Sequence, residues 1–261
     1  MLWAPIAYPL ATPRPVRRLL PLWTGTFYRR TMTTHILLTG ASRGIGAAIA
    51  EALTRDDVKL LAVSSADADL SEPAGAAALW HKAMDTLGGR VDVLINNAGV
   101  FEAAPIDESD EVWLAQWRRT MTINLEAAAL LCRWSVQSWQ AAGSGGRIVN
   151  IASRAAYRGD SPAHWHYAAS KAGMVALTKT IARGYAAEGI LGFAVCPGFT
   201  MTGMAEDYLA SRGGDRLLAD IPLGRVADPA EIANIAAYLA LQAPASMTGA
   251  VIDANGASYV R

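Results

Sequence analysis

A tyrosine and a lysine stand one helical turn apart in Tyr167-Ala168-Ala169-Ser170-Lys171. Residues i and i+4 share one face of a helix. An ammonium beside a phenol favours the phenolate and draws its pKa down from about 10 toward neutrality. A phenol tuned in this way serves as a general acid or base. Upstream, Ser153 follows the apolar run Arg147–Ile151 and offers a hydroxyl. A second constellation is Thr39-Gly40-Ala41-Ser42-Arg43-Gly44-Ile45-Gly46, directly after another apolar run. Glycines there let the chain turn tightly and let a pyrophosphate approach the free N–H groups of a helix N-terminus. Gly40, Ser42, Arg43, Gly44, Ile45 and Gly46 are therefore candidate phosphate-binding positions. Their spacing differs from GxGxxG, and the lysine of a nucleotide-hydrolysing P-loop is missing. Asn96-Asn97-Ala98-Gly99 and Pro197-Gly198-Phe199-Thr200-Met201-Thr202 complete the set. Each motif alone has a bland counterpart: a surface pair on a helix, or an ordinary turn.

These residues need elements to position them. From His35 onward, short apolar runs alternate with helical periodicity, which predicts βαβ units and a parallel sheet. Strands are expected at His35–Thr39, Val58–Val63, Val91–Ile95, Arg147–Ile151, Leu191–Cys196 and Ala250–Ile252. Helices are expected at Gly46–Leu53, Pro73–Leu87, Glu111–Trp139, His166–Ala187 and Asp228–Leu241, the last capped by Asp228 with Pro229 in its first turn. The fold class is α/β: one Rossmann-like, doubly wound parallel sheet flanked by helices, spanning 35–261 as a single domain. The glycine turn, Asn96–Gly99, Ser153 and Pro197–Thr202 then all sit at strand carboxyl ends, where open α/β sheets bind ligands. That coincidence outweighs any single motif.

Composition narrows the class. The chain has 261 residues, 52% hydrophobic and 18% charged, with 23 Lys+Arg against 23 Asp+Glu. This excludes a disordered or disulfide-dense chain, and it leaves no basic excess for nucleic acid. Residues 1–34 differ from the rest: Arg14, Arg17, Arg18, Arg29 and Arg30 come with no acid, and five prolines prevent a continuous helix. The expectation is a disordered extension outside the domain, with a targeting segment or an interaction arm as alternatives. Cys132 and Cys196 read as small buried hydrophobes of a reducing compartment. No run approaches the ~20 apolar residues of a membrane span, so the expectation is a cytoplasmic protein without a membrane partner. His164 and His166 lack the further ligands a metal site needs.

Taken together, Thr39–Gly46, Asn96–Gly99, Asn124, Ser153, Tyr167, Lys171 and Pro197–Thr202 resemble the short-chain dehydrogenase/reductase family over 35–261. Ile221–Arg225 and the ending Thr248–Gly256 resemble the branch that contains the 3-oxoacyl-carrier-protein reductases. The resemblance implies an NAD(P)-dependent oxidoreductase that moves a hydride between nicotinamide and a small carbonyl or alcohol substrate. It implies that Tyr167 exchanges a proton with the substrate oxygen and that Ser153 holds that oxygen. Lys171 binds the nicotinamide ribose and keeps Tyr167 acidic, and Asn124 anchors a water linking Lys171 to solvent. Asn97, Ala98 and Gly99 line the adenosine ribose, and Pro197, Gly198 and Thr202 border the nicotinamide. It further implies a homodimer or homotetramer paired through Glu111–Trp139 and His166–Ala187. Two rival readings are a non-catalytic NAD(P)-binding regulator of the same fold and a sugar-nucleotide epimerase or dehydratase. The full set Asn124, Ser153, Tyr167 and Lys171 argues against the first, and the chain length and glycine spacing argue against the second.

The second strand ends Val63-Ser64-Ser65, without the carboxylate that would bond the 2′-hydroxyl of NAD. With Arg43 beside the glycine turn, this favours NADP, NAD remaining open; Asp67 opposes it if it folds back toward the ribose. Only a short polar stretch separates Ser64 from Asp69, so the third, edge strand and its helix are expected to be reduced or missing. Asp69 is then the candidate adenine contact. The substrate wall should come from Asn97–Ala103, Arg154–Trp165 and Phe199–Pro222, the last read as a lid. Arg154 and Arg158 read either as an anion-binding pair or as loop surface and packing. Trp113, Trp117, Trp134 and Trp139 read as core or subunit contact.

Overall fold

Six short apolar runs, each bounded by turn residues, form strands because helices cover both of their faces. In the computed structural model, which describes residues 33–201 and 218–261, they are β1 Thr34–Thr39, β2 Val58–Val63, β3 Val93–Asn96, β4 Gly146–Ile151, β5 Ile190–Pro197 and β6 Val251–Ala254. They make one parallel sheet in the order β2-β1-β3-β4-β5-β6. β2 is an edge, and the chain leaves it directly for α2 (Pro73–Leu87), so the expected loss of a further edge strand is what the fold shows. The strand order reverses between β1 and β3, which opens a crevice at their carboxyl ends.

Side-chain alternation along β1 splits the core. Ile36 and Leu38 pack with α1 (Gly44–Ala52) and, through Ile232 and Leu239, with the last long helix, Pro229–Leu241. Leu37 points the other way, toward Leu79 of α2, Leu131 and Ile181. The local stop signals act as expected. Gly88 ends α2 in the left-handed region at φ 76°. Asp228 and Glu231 form a reciprocal capping box at the start of the last helix.

Two elements depart from the sequence expectation. The Glu111–Trp139 stretch is broken into α3 (Asp110–Met121), a π turn (Thr122–Glu126) and α4 (Ala127–Ala142). The wider turn lets the Asn124 carboxamide meet the main chain of Val100, accepting from its N–H at 2.8 Å and donating to its carbonyl at 3.0 Å. A single-turn helix, α5 (Ala155–Arg158), follows β4 and is too short for periodicity to reveal. It leads to α6 (Trp165–Tyr185); the last helix is α7. The arm 1–32 and most of the expected lid, 202–217, lie outside the described residues.

A buried polar chain pins the sheet's middle. Asn96 of β3 donates to Asn150 of β4 at 2.8 Å, and Asn150 donates to Thr178 of α6 at 2.8 Å. All three side chains are buried. Asn150→Ala leaves the Asn96 amide only the weak Cys132 sulfur acceptor at 3.3 Å and should lower the unfolding free energy by about 2–4 kcal/mol in a urea titration. A loss below about 0.5 kcal/mol, less than one typical hydrogen bond, would show that this chain does not fix the register.

Candidate active site

The glycine turn and the Asn96–Gly99 motif form one unit. The Thr39 hydroxyl accepts from the N–H groups of Asn97 and Ala98, each at 3.1 Å. The Asn97 carboxamide donates to the carbonyls of Thr39 at 3.1 Å and Gly40 at 2.8 Å. Gly40 has φ 69°, and a Cβ on it would lie 2.7 Å from the Ala98 Cα. A side chain on Gly46 would run into the Gly40 carbonyl oxygen. The N-terminus of α1 carries no side-chain cap, so its free N–H groups face outward at the switch point. Arg43, at that N-terminus, is exposed and makes no ion pair among the described residues.

Further along the same sheet edge, α6 presents Tyr167, Ser170 and Lys171. The Lys171 ammonium donates to the carbonyl of Ile151, the last residue of β4, at 2.9 Å. A Cβ on Gly99 would stand 3.3 Å from the Asn124 Oδ1 and 3.4 Å from the Lys171 Nζ, so the three residues meet. Asn124 also donates to the Ser170 hydroxyl at 3.3 Å, which donates to the Tyr167 carbonyl at 2.7 Å. Ser153 is buried just beyond the end of β4, accepts from the Ala155 N–H at 3.1 Å and favours the ionised form of the Tyr167 phenol. Asn124, Ser153, Tyr167 and Lys171 are thus brought together, from a π turn, a strand end and a helix. Pro197 ends β5 beside them, its carbonyl accepting from the Arg154 N–H at 2.9 Å, and the Gly198 N–H donates to the Ala254 carbonyl at 3.0 Å. Thr202 lies outside the described residues.

A family model described as enoyl-(acyl carrier protein) reductase matches residues 40–256. The chain belongs to the short-chain dehydrogenase/reductase family. It is 32% identical to the 3-oxoacyl-(acyl-carrier-protein) reductase of Vibrio cholerae, over 86% of this chain and 96% of that one. It is 34% identical to the D-threitol dehydrogenase of Mycolicibacterium smegmatis, over 86% and 92%. A solved structure from Beutenbergia cavernae, named as an NAD(P)-dependent gluconate 5-dehydrogenase with bound NADP, superimposes with a TM-score of 0.77 at 33% identity, over 85% of this chain and 95% of that one. This short-chain dehydrogenase/reductase is accordingly an enzyme, an oxidoreductase, and not the regulator weighed as its rival.

The electrostatics correct one expectation. Burial pushes the Tyr167 phenol up to about 12, and the Ser153 hydrogen bond only partly opposes this. The ammonium that was expected to lower it is aimed at the Ile151 carbonyl and stands 5.8 Å from the phenol ring centre. Burial likewise brings Lys171 down to about 8. Desolvation of both groups outweighs their attraction.

At the opposite end of the crevice, the Asp67 carboxylate does fold back. It accepts from the N–H and hydroxyl of Ser64 at 2.9 and 3.0 Å and pairs with Lys82 at 2.9 Å. These contacts, the Ser64 N–H foremost, hold Asp67 at about 2. The Asp69 carboxylate is engaged by Ser71 within its own turn, at 2.9 and 2.7 Å. On the substrate side, Arg154 and Arg158 both pair with Asp220, at 3.4 and 2.5 Å, and the Arg154 guanidinium lies 4.8 Å from the centre of the Phe199 ring. Sequence reasoning did not single out Phe101, which packs edge-on against Tyr167 at 4.8 Å. Nor did it single out Asp220; neither residue belongs to a motif with its own chemistry. A separate cleft of about 630 Å³ lies between α7 and the segment from the end of β6 onward, lined by Leu223 and Asp253–Gly256 of the C-terminal motifs but by none of the candidate catalytic or cofactor residues.

Four lysines make the Lys171 shift directly observable. Its Cε resonance should titrate with a midpoint near pH 8. Because the unfolded chain then binds more protons, this group adds stability as pH rises from 8 toward 10.5. A Lys171 midpoint at the ordinary lysine value would show that Lys171 is not buried.

Proposed function

We propose that this enzyme interconverts a small-molecule carbonyl and its alcohol, with Tyr167 as the general acid and base. The observation that carries the reading is the convergence of Asn124, Ser153, Tyr167 and Lys171 beside a glycine turn that presents free N–H groups. In reduction, Tyr167 gives its proton to the substrate oxygen, and in oxidation it takes that proton back. Ser153, whose hydroxyl favours the ionised phenol, holds the same oxygen in place. Lys171 holds the nicotinamide ribose and supplies positive charge beside the developing phenolate. Asn124 fixes Val100 and Ser170, and the border it shares with Lys171 at Gly99 supports a water between them.

The residues present suit a nicotinamide dinucleotide. Gly40 and Gly46 let the turn close tightly against Asn97 and Ala98, where any side chain would clash, and the uncapped N-terminus of α1 that this turn leads into suits a pyrophosphate. Gly40, Ser42, Arg43, Gly44, Ile45 and Gly46 would hold the phosphates. Ser64 and Asp69 would border the adenosine, with Asn97, Ala98 and Gly99 on its ribose, and Pro197, Gly198 and Thr202 would border the nicotinamide. The nicotinamide, when bound, supplies or accepts the hydride. NADP is the preferred form, NAD the alternative. The Arg43 guanidinium, in no ion pair among the described residues, suits a 2′-phosphate, whereas the Asp67 carboxylate, already paired with Lys82, opposes it.

The catalytic unit is assigned to 35–261, consistent with the compact unit Met32–Arg261, and 1–34 to an extension outside it. Homodimer or homotetramer assembly through α3, α4 and α6 is supported by exposed Val112, Leu114 and Trp165. A cytoplasmic setting is supported by two buried free thiols, and no helix among the described residues is long and apolar enough to cross a membrane.

Tyr167→Phe should cut turnover by about 10²–10⁴-fold while NADPH affinity stays within about two- to three-fold of the parent, since the ring keeps its packing on Phe101. Turnover close to the parent's would overturn the assigned role. By fluorescence titration NADPH should bind more tightly than NADH; Arg43→Ala should narrow that gap and Asp67→Asn widen it. Tighter binding of NADH to the unaltered enzyme would reverse the cofactor assignment.

A further inference from the structure

The wall beside Tyr167 holds a second polar group that the reaction itself does not use. Phe101 stacks face to face on the His164 imidazole, with ring centres 3.9 Å apart and planes within 4°, while its edge meets the phenol ring at 4.8 Å and 81°. His164 is therefore one ring removed from the reacting hydroxyl and held flat by that contact. Its Nδ1 is committed to the Ser161 hydroxyl at 2.7 Å. Its Nε2 has no partner among the described residues and is not sealed inside protein, whereas the Nε2 of neighbouring His166 is both buried and unpartnered. A ring nitrogen fixed in orientation, open, and set in an aromatic wall is a pre-organised hydrogen-bonding group.

We propose that His164 contacts substrate: its Nε2 hydrogen-bonds a neutral second oxygen carried a few bonds from the reacting carbon, so the preferred substrates are diols, polyols and the corresponding hydroxy ketones. The proposal rests on the oxidoreductase reading above and specifies its substrate class. A hydroxyl both donates and accepts, so it suits either tautomer that Ser161 leaves. A carboxylate only accepts and is best served by an imidazolium. Burial, with His166 as a lesser contribution, holds His164 below the ordinary histidine range, though Asp160 works the other way. The charged alternative is already engaged: Arg154 and Arg158 share Asp220, and the face of Arg154 lies on Phe199.

The test compares oxidation of cyclohexane-1,2-diol and cyclohexanol with NADP, using the parent enzyme, His164→Phe and His164→Gln. Phenylalanine keeps the stack on Phe101 and removes only the polar edge; glutamine restores a donor and an acceptor. The parent should favour the diol by about ten-fold or more in kcat/KM, the worth of one well-placed hydrogen bond. His164→Phe should lose that preference through a raised KM for the diol, with cyclohexanol changed by less than about two-fold, and His164→Gln should recover part of it. Equal losses on both alcohols would make the ring mere scaffolding and overturn the proposal. So would no loss at all, or a parent that does not discriminate, or a parent that oxidises 3-hydroxybutanoyl-coenzyme A but neither cyclic alcohol. If the parent oxidises none of the three, the proposal fails, whereas the role of Tyr167 stands or falls on the Tyr167→Phe comparison.

Discussion

An ammonium held out of water against one main-chain carbonyl is the constraint on which the site depends. Lys171 is 4% exposed and donates to Ile151 at the point where β4 ends. Burying that charge is costly unless its hydrogen bonds are made. The cost is acceptable only if α6 sits at one height on the sheet, because one helical turn of slippage would carry the ammonium past the carbonyl. The packing of α6 on β4 and β5 and the buried Asn150–Thr178 bond hold that height. Tyr167, one turn earlier, then comes to Ser153 without further adjustment, and Gly99 can approach because it has no side chain.

The same requirement explains the π turn in the helical stretch opposite. An uninterrupted helix would direct the Asn124 carboxamide elsewhere, whereas the wider turn lets it pair with both main-chain groups of Val100. Irregular turns of this kind are frequent at functional sites. One carboxamide therefore fixes the strand-end loop that carries Gly99 and Phe101, and through Ser170 it touches the first turn of α6. Strand end, π turn and α6 form one hydrogen-bonded assembly rather than three neighbours.

Much of this was legible in the sequence, and the reasons are specific. The strands were readable because fully covered strands are continuous apolar runs. The helix ends at Gly88 and Asp228 were readable because their chemistry is local. The shortened link after Ser64 announced the missing edge strand. The π turn was not readable, since hydrophobic periodicity runs through it unbroken. The direction of the Tyr167 shift was also misjudged, because helix spacing brings Lys171 near the phenol but says nothing of burial or of the Ile151 carbonyl that takes the ammonium's hydrogen bond. The return of Asp67 to Ser64 was visible as a possibility, but only the folded loop decides it.

The proposed reaction requires one substrate oxygen to lie between the phenol of Tyr167 and the hydroxyl of Ser153, at the sheet edge where the glycine turn would receive the dinucleotide. A crystal structure of the complex with NADP and an unreactive alcohol analogue tests this most directly. Density is expected for the pyrophosphate at the N-terminus of α1, with the analogue's oxygen within hydrogen-bond distance of both Tyr167 and Ser153. Density for the analogue in the cleft between α7 and β6, or a phenol turned away from the serine, would contradict it.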